Sequence, residues 1–169
     1  MSTYQTDNLP LREAFGRTGF SGKIAIILSI WFGAGLFPGA PGTLGTLAAL
    51  PLVLGMGYLG IWGSALALVM VIGLAIWASG RSQDLLNRSD PPEIVIDEVA
   101  GFLCTMFLLP LSWQNLVLGF ALFRFFDILK PYPIRRLEWL RGGLGIVMDD
   151  LGAALYANLA VRMILFLAG

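Results

Sequence analysis

The sequence predicts an all-α protein, a polytopic membrane bundle of about five to six transmembrane or re-entrant helices. Of its 169 residues, 57% are hydrophobic and only 13% are charged, whereas soluble domains carry about 25% charged residues. No Asp, Glu, Lys or Arg lies between Lys23 and Arg81, or between Glu98 and Arg124. Because a membrane-spanning helix needs about 20 apolar residues, these stretches indicate a chain embedded in a lipid bilayer.

Missing residue types narrow the possible chemistry. The chain has no histidine, which excludes His general bases and His metal ligands. Its single cysteine, Cys104, lies in an apolar stretch and has no partner for an intrachain disulfide. The formal net charge is zero, and no long basic run is present, so we expect no nucleic-acid partner.

The first 56 residues divide into a tail and two apolar segments. Residues 1–19 are predicted to be a polar tail, either frayed or a surface helix, and residues 20–169 a single membrane-embedded domain. The apolar segment 24–37 is short, so it either spans the membrane or re-enters on the same side. It ends at a Pro- and Gly-rich loop, residues 38–43, which is followed by the apolar segment 44–56.

The C-terminal half is predicted to contain a helical hairpin. Residues 61–80 form an uninterrupted apolar span, and a polar loop follows over 81–93. The next apolar stretch contains the sequence Pro-Leu-Ser-Trp-Gln-Asn from Pro110 onward. Such residues favour a turn, and we therefore predict two helices, 94–109 and 113–130.

This hairpin brings charged residues to one membrane face. Asp97 and Glu98 lie at the start of its first helix, Arg124 and Asp127 at the end of its second, and the last predicted helix, 151–168, follows another acidic pair. The same face collects basic residues: Arg81, Arg88, Arg124, Lys130, Arg135, Arg136 and Arg141. Lys and Arg are enriched in cytoplasmic loops, so this face is predicted to be cytoplasmic. The tail residues Arg12, Arg17 and Lys23 fit this orientation only if segment 24–37 is re-entrant.

The acidic residues on this face are the candidate catalytic groups: Asp97, Glu98, Asp127, Asp149 and Asp150. One acidic pair at a helix N-terminus is also explained by the helix dipole alone. Five carboxylates on one face, however, repel each other unless a cation neutralises them. A cluster of oxygen ligands without histidine suits Mg²⁺, and the predicted ligands are Asp97, Glu98, Asp127 and Asp150.

Substrate-binding candidates lie on the same face: Thr43, Thr46, Arg124, Lys130 and Arg135. The spacing of Arg124, Asp127 and Lys130 places them along one side of a helix, either as a salt-bridge ladder or as cations that bind an anionic oxygen. The loop around Thr43 and Thr46 is rich in glycine and leads into a helix, an arrangement that favours phosphate. Together these features indicate phosphoryl chemistry on a membrane-borne substrate.

Four motifs resemble bacterial phosphatidylglycerophosphatase A. They are PGAPGTLGT (38–46), IDEVAG (96–101), FRFFDILKPYPIR (123–135) and GGLGIVMDDLGA (142–153). The resemblance implies a Mg²⁺-dependent phosphatase of the bacterial inner membrane that converts phosphatidylglycerophosphate to phosphatidylglycerol in phospholipid biosynthesis. Family motif positions correspond to Thr43, Asp97, Glu98, Arg124, Asp127, Lys130, Asp149 and Asp150.

The nucleophile is open at this stage. Water activated by the ion is expected first, because neither His nor a reactive Cys is available. A phosphoaspartyl intermediate and attack by Thr43 are the alternatives. The competing class of protein is a non-enzymatic cation transporter that uses the acidic cluster. Such a transporter is expected to have internal repeats and charges near the bilayer midplane, and the sequence shows no repeat. The sequence does not indicate an oligomeric state.

Overall fold

The computed structural model describes residues 9–137 and 139–168, and over these ranges the chain is helical without β-strands. The elements are α1 (Leu11–Arg17), α2 (Phe20–Ser29), a 3₁₀ segment (Trp31–Leu36), α3 (Pro41–Ala48), α4 (Leu50–Met56), α5 (Gly60–Leu86), α6 (Ile96–Met106), α7 (Trp113–Leu129), α8 (Ile134–Leu137) and α9 (Gly143–Ala168). The predicted all-α helical bundle is confirmed.

Two helices of the described chain, α5 with 27 residues and α9 with 26, are long and apolar enough to cross a membrane. At about 1.5 Å per residue, α5 is about 40 Å long. Helix α6 has only 11 residues, about 17 Å, so the predicted helix 94–109 is too long. The shorter α6 cannot cross a bilayer alone.

Several helix boundaries differ from the prediction. Helix α3 begins at Pro41, because proline is favourable in the first turn of a helix, so Thr43 is helical and not in a loop. Helix α9 begins at Gly143 and not at residue 151. A side chain at Gly143 would collide with the carbonyl oxygen of Ile76. Gly143 therefore allows α9 to approach α5 closely.

Helix α6 lies at the centre of the bundle and packs against α9, α5, α3 and α7. Its side chains Val99, Phe102 and Leu103 are buried. A Cβ atom at Gly101 would lie 2.6 Å from the Phe123 ring of α7, so only glycine permits this approach. Close packing on several sides fixes the position of Asp97 and Glu98 at the first turn of α6.

The C-terminal end of α6 is held by polar side chains from α9. Asn158 Nδ2 donates hydrogen bonds to the carbonyl oxygens of Thr105 at 2.7 Å and Phe107 at 3.0 Å. Arg162 Nη2 donates to the carbonyl oxygens of Phe107 and Leu108, each at 3.2 Å. Backbone groups within a bilayer need protein partners, and these donors allow α6 to end after 11 residues. This role explains why the otherwise apolar C-terminal part of α9 contains a charged residue, Arg162.

Replacing Asn158 with Leu is expected to destabilise the protein by about 1 to 2 kcal/mol, because the Thr105 carbonyl loses its side-chain donor and the Phe107 carbonyl keeps only that of Arg162. The measurement is thermal unfolding in detergent. Gln114→Leu is the matched control, since Gln114 is exposed at the start of α7. Equal melting temperatures for the two variants would show that Asn158 does not support the end of α6.

The segment 24–37 turns back and does not cross the bundle. The Val95 amide donates to the Ser29 carbonyl at 2.8 Å, and the Ser29 and Ser82 hydroxyls are 2.9 Å apart. Six residues after Ser29, Gly35 packs so closely on Glu93 that a side chain would collide with its carbonyl oxygen. Both ends of the turn therefore lie beside residues 82–95, as the re-entrant alternative predicts.

The described part of the predicted tail lies at this same end. Helix α1 buries Ala14 against Ile26 and Leu86, and the Leu9 amide donates to the Leu86 carbonyl at 3.1 Å. The surface-helix alternative holds for α1, and residues 1–8 lie outside the described residues. The basic residues of α1 and α2 thus share an end with Arg81 and Arg88.

Candidate active site

A cavity of about 450 Å³ lies where the N-terminal turns of α3 and α6 meet the last turn of α7 and the second turn of α9. It brings together eight of the predicted site residues: Thr43, Asp97, Glu98, Arg124, Asp127, Lys130, Asp149 and Asp150. The contact between Glu98 and Arg124, 3.7 Å apart, confirms the hairpin of α6 and α7.

Three carboxyl groups form the deepest part of the cavity. Oxygen atoms of Asp97, Glu98 and Asp150 all lie within 4.8 Å of one another. One oxygen of each (Asp97 Oδ1, Glu98 Oε2 and Asp150 Oδ2) is buried and has no hydrogen-bond partner within the described ranges. Burial raises the pKa of Asp97 well above its usual value, and the carboxylates of Glu98 and Asp150 raise it further. This trio has the oxygen-only donor set that a hard divalent cation requires.

Asp127, a predicted metal ligand, pairs with Arg124 on the same helix. The Arg124 Nη1 atom lies 2.7 Å from Asp127 Oδ2, with an i, i+3 spacing. Arg124 also faces Glu98, so one guanidinium group bridges α7 and α6. Asp127 is not one of the three groups whose oxygens lie within 4.8 Å of one another, but it lines the same cavity, and its role as a metal ligand stays a prediction.

Lys130 connects α7 to α9. Its Nζ atom lies 2.6 Å from Asp149 Oδ2, and its backbone adopts the left-handed conformation that ends α7 (φ 43°). The cavity therefore contains two cationic side chains and five predicted acidic ones. Lys130 thus pairs with Asp149, and Arg124 lies 3.7 Å from Glu98 of the trio.

Two predicted substrate-binding residues do not line the cavity. Thr46 is buried, and its hydroxyl donates to the Gly42 carbonyl at 2.8 Å. Arg135 is exposed on α8. Conversely, Asp90 lines the cavity and was not predicted as a site residue. The signal in the sequence is an acidic residue directly before two prolines, in the loop that leads into the motif at 96–101; in the structure its backbone is left-handed.

Comparison with known proteins gives the family. Residues 27–165 match the family model described as phosphatidylglycerophosphatase A. The chain belongs to the phosphatidylglycerophosphatase A family. It is 40% identical over 140 residues to a phosphatidylglycerophosphatase A of Haemophilus influenzae, covering 80% of this chain and 85% of that protein. The phosphatidylglycerophosphatase A of Escherichia coli K12 is 36% identical over 129 residues, 75% of each chain.

The name of a third relative refers to a different lipid headgroup. A Bacteroides thetaiotaomicron protein, named as a candidate phosphatidylinositol-3-phosphatase, is 30% identical over 154 residues, covering 86% of this chain and 96% of that protein. No solved structure matches the chain. Membership in the phosphatidylglycerophosphatase A family makes this protein a lipid phosphatase and gives no support to the transporter alternative.

Gly42, in the first turn of α3, packs directly on the charged groups of this lipid phosphatase. A Cβ atom at Gly42 would collide with Glu98 Oε1 and lie 2.9 Å from Arg124 Nη1. Gly42 belongs to the glycine-rich segment around Thr43 that is predicted to favour phosphate. Its close contacts add a second reason for glycine, because any side chain here would displace both charged groups.

Gly42→Ala is expected to lower phosphate release about tenfold or more while the protein stays folded, because catalysis is sensitive to displacements of about 1 Å. Gly55→Ala on α4 is the control, since a Cβ atom there meets nothing within 4 Å. Rates and melting temperatures of both variants are measured together. A Gly42→Ala variant as active as Gly55→Ala would show that the position of Glu98 and Arg124 is not critical.

Proposed function

We propose that this enzyme hydrolyses the terminal phosphate of phosphatidylglycerophosphate and yields phosphatidylglycerol and inorganic phosphate. The observation that carries the proposal is the mixed cavity, in which the acidic trio of Asp97, Glu98 and Asp150 lies beside the cations Arg124 and Lys130. A phosphomonoester dianion can bind in this cavity only if cationic side chains contact it and the negative charge of the acidic side chains is balanced.

The residues of the chain have distinct roles in this proposal. The Arg124 guanidinium and the Lys130 ammonium groups bind phosphate oxygens and stabilise the charge of the transition state. The first-turn amides of Gly42 and Thr43 in α3 have no partner within the helix, and they favour an anion at this position. The phosphorus–oxygen bond to the glycerol breaks, water supplies the new oxygen atom, and the alcohol leaves with a proton.

We further propose that Mg²⁺ is the cofactor. Asp97, Glu98 and Asp150 would hold it, because the three groups lie close together and one buried oxygen of each has no hydrogen-bond partner in the described chain. When bound, Mg²⁺ supplies Lewis-acid polarisation of the phosphate. Asp127 and Asp149 remain proposed catalytic residues that orient Arg124 and Lys130.

The test compares phosphate release by the purified protein from two phospholipids in mixed micelles. We expect phosphatidylglycerophosphate to be hydrolysed with Mg²⁺ and not with excess EDTA, and phosphatidylinositol 3-phosphate to be a poor substrate. If the protein hydrolyses phosphatidylinositol 3-phosphate faster, the proposed substrate is wrong, and the substrate is the lipid for which the Bacteroides relative is named. Undiminished activity in EDTA would exclude a dissociable divalent cofactor.

We propose that the enzyme is a multi-pass protein of the bacterial inner membrane with the cavity facing the cytoplasm. The basic residues around the cavity support this orientation. In a Cys104→Ser background, Ser89→Cys and Arg136→Cys are expected to react with an impermeant maleimide only from the cytoplasmic side. Tyr58→Cys is the opposite-side control, since Tyr58 is exposed in the turn before α5. Labelling of Ser89→Cys and Arg136→Cys from different sides would contradict the proposed topology.

A further inference from the structure

An apolar groove of about 310 Å³ runs along the outer surface between α3–α4 and α7. Its lining residues are all apolar: Leu47, Leu50, Trp113, Leu116, Val117 and Phe120. Three of them, Leu50, Leu116 and Phe120, also pack against the central core. The groove is therefore a fixed feature of the bundle, with one wall on α3 and α4 and the other on α7.

Both walls continue directly into the acidic cavity. On α7 the groove residues from Trp113 to Phe120 are spaced i, i+3, i+4 and i+7, which places them on one face. Arg124 follows Phe120 by one turn on that face and lines the cavity. On α3, Thr43 of the cavity precedes Leu47 of the groove by one turn. A polar site and an apolar groove thus lie end to end along the same two helices.

We propose that this groove holds one acyl chain of the phospholipid substrate while the phosphate lies in the acidic cavity. The proposal rests on the proposed function, and it assigns the residues that recognise the lipid part of the substrate. Ligand pockets usually measure about 300–1,000 Å³, so a groove of about 310 Å³ suits a single chain and not a whole phospholipid. Its position one turn from Arg124 and Thr43 matches a ligand that is anionic at one end and apolar at the other.

The first experiment fills the groove. Val117→Trp places a bulky ring in it, and Val69→Trp on α5 is the matched control, because Val117 and Val69 are 61% and 66% exposed and Val69 lies outside the groove. Each variant is assayed with phosphatidylglycerophosphate and with its deacylated, water-soluble headgroup analogue. We expect Val117→Trp to reduce the preference for the acylated substrate about tenfold, mainly through KM, and Val69→Trp to keep it.

Other outcomes overturn the proposal. Equal preference in Val117→Trp and Val69→Trp would show that the substrate chains mix freely with the surrounding lipid. If Val117→Trp slows hydrolysis of both substrates equally, the substitution disturbs the cavity or the fold and not the binding of an acyl chain. If the wild-type protein hydrolyses neither substrate, the proposed function fails, and a measurement without turnover then tests the groove.

That measurement is photo-crosslinking in mixed micelles that contain phosphatidylglycerophosphate with a diazirine in one acyl chain. We expect crosslinks to concentrate in residues 47–50 and 113–120, and Val117→Trp to reduce them relative to Val69→Trp. Crosslinks spread evenly over α5 and α7 would show that the groove holds no particular chain.

Discussion

Asp97→Asn and Asp150→Asn are each expected to reduce phosphate release by about a thousandfold, since a catalytic cation contributes several kcal/mol. Asparagine preserves the size of the side chain and removes the negative charge. Both residues are buried, and both belong to the trio whose oxygens lie within 4.8 Å of one another. The measurement is the initial rate of phosphate release at limiting Mg²⁺.

Asp84→Asn is the matched control, because Asp84 is exposed on α5 and lies outside the cavity. It is expected to keep the wild-type rate. The variant Asp127→Asn distinguishes a metal ligand from a residue that only pairs with Arg124, which is the partner of Asp127 in the structure. Near wild-type activity of Asp97→Asn or Asp150→Asn at limiting Mg²⁺ would remove that residue from the metal-binding set.

The second large effect is expected at Lys130 and Arg124. Lys130→Met and Arg124→Lys should each lower turnover about a hundredfold or more, because both positions supply charge to the transition state. A lysine ammonium group cannot reproduce the two parallel hydrogen bonds of a guanidinium. Initial rates are measured beside melting temperatures in detergent, so that a loss of folded protein is not mistaken for a loss of catalysis.

The ion pair of Lys130 with Asp149 requires a further control. Lys130→Met leaves a buried carboxylate without its partner, and the double variant Lys130→Met/Asp149→Asn removes that unpaired charge. We expect the double variant to recover thermal stability and not turnover, as a phosphate-binding lysine requires. Recovery of turnover would show that Lys130 serves only to neutralise Asp149.

The polar end of the molecule was largely predictable from the sequence. Charges are scarce in this chain, so the few that occur near helix ends are informative, and the break at Pro110 was enough to predict the hairpin. Glu98 and Arg124 accordingly lie 3.7 Å apart. The exceptions are Thr46 and Arg135, which lie at the same end of the molecule as the cavity but do not line it. The direction of a side chain depends on where its helix begins and how the helix is rotated about its axis, and amino-acid composition specifies neither.

Helix boundaries were less predictable because tertiary contacts decide them. The glycines from Gly142 to Gly145 are typical of a loop, yet α9 begins among them, since Gly143 packs on the backbone of α5. Helix α6 ends early because Asn158 and Arg162, more than 50 residues away in sequence, supply its last hydrogen bonds. The sequence around α6 contains neither Asn158 nor Arg162, so it could not predict where the helix ends. The same holds for Asp90, which reaches the cavity through the fold of its loop.

The metal-binding role of the cavity is tested most directly by the binding of Mn²⁺, a spectroscopic substitute for Mg²⁺, to the purified protein in detergent without substrate. The free Mn²⁺ signal is followed by electron paramagnetic resonance for the wild type and for the variant Asp97→Asn/Glu98→Gln/Asp150→Asn. We predict saturable uptake that Mg²⁺ displaces in the wild type, and no uptake by the triple variant. Equal uptake by both proteins would contradict a metal site formed by these three residues.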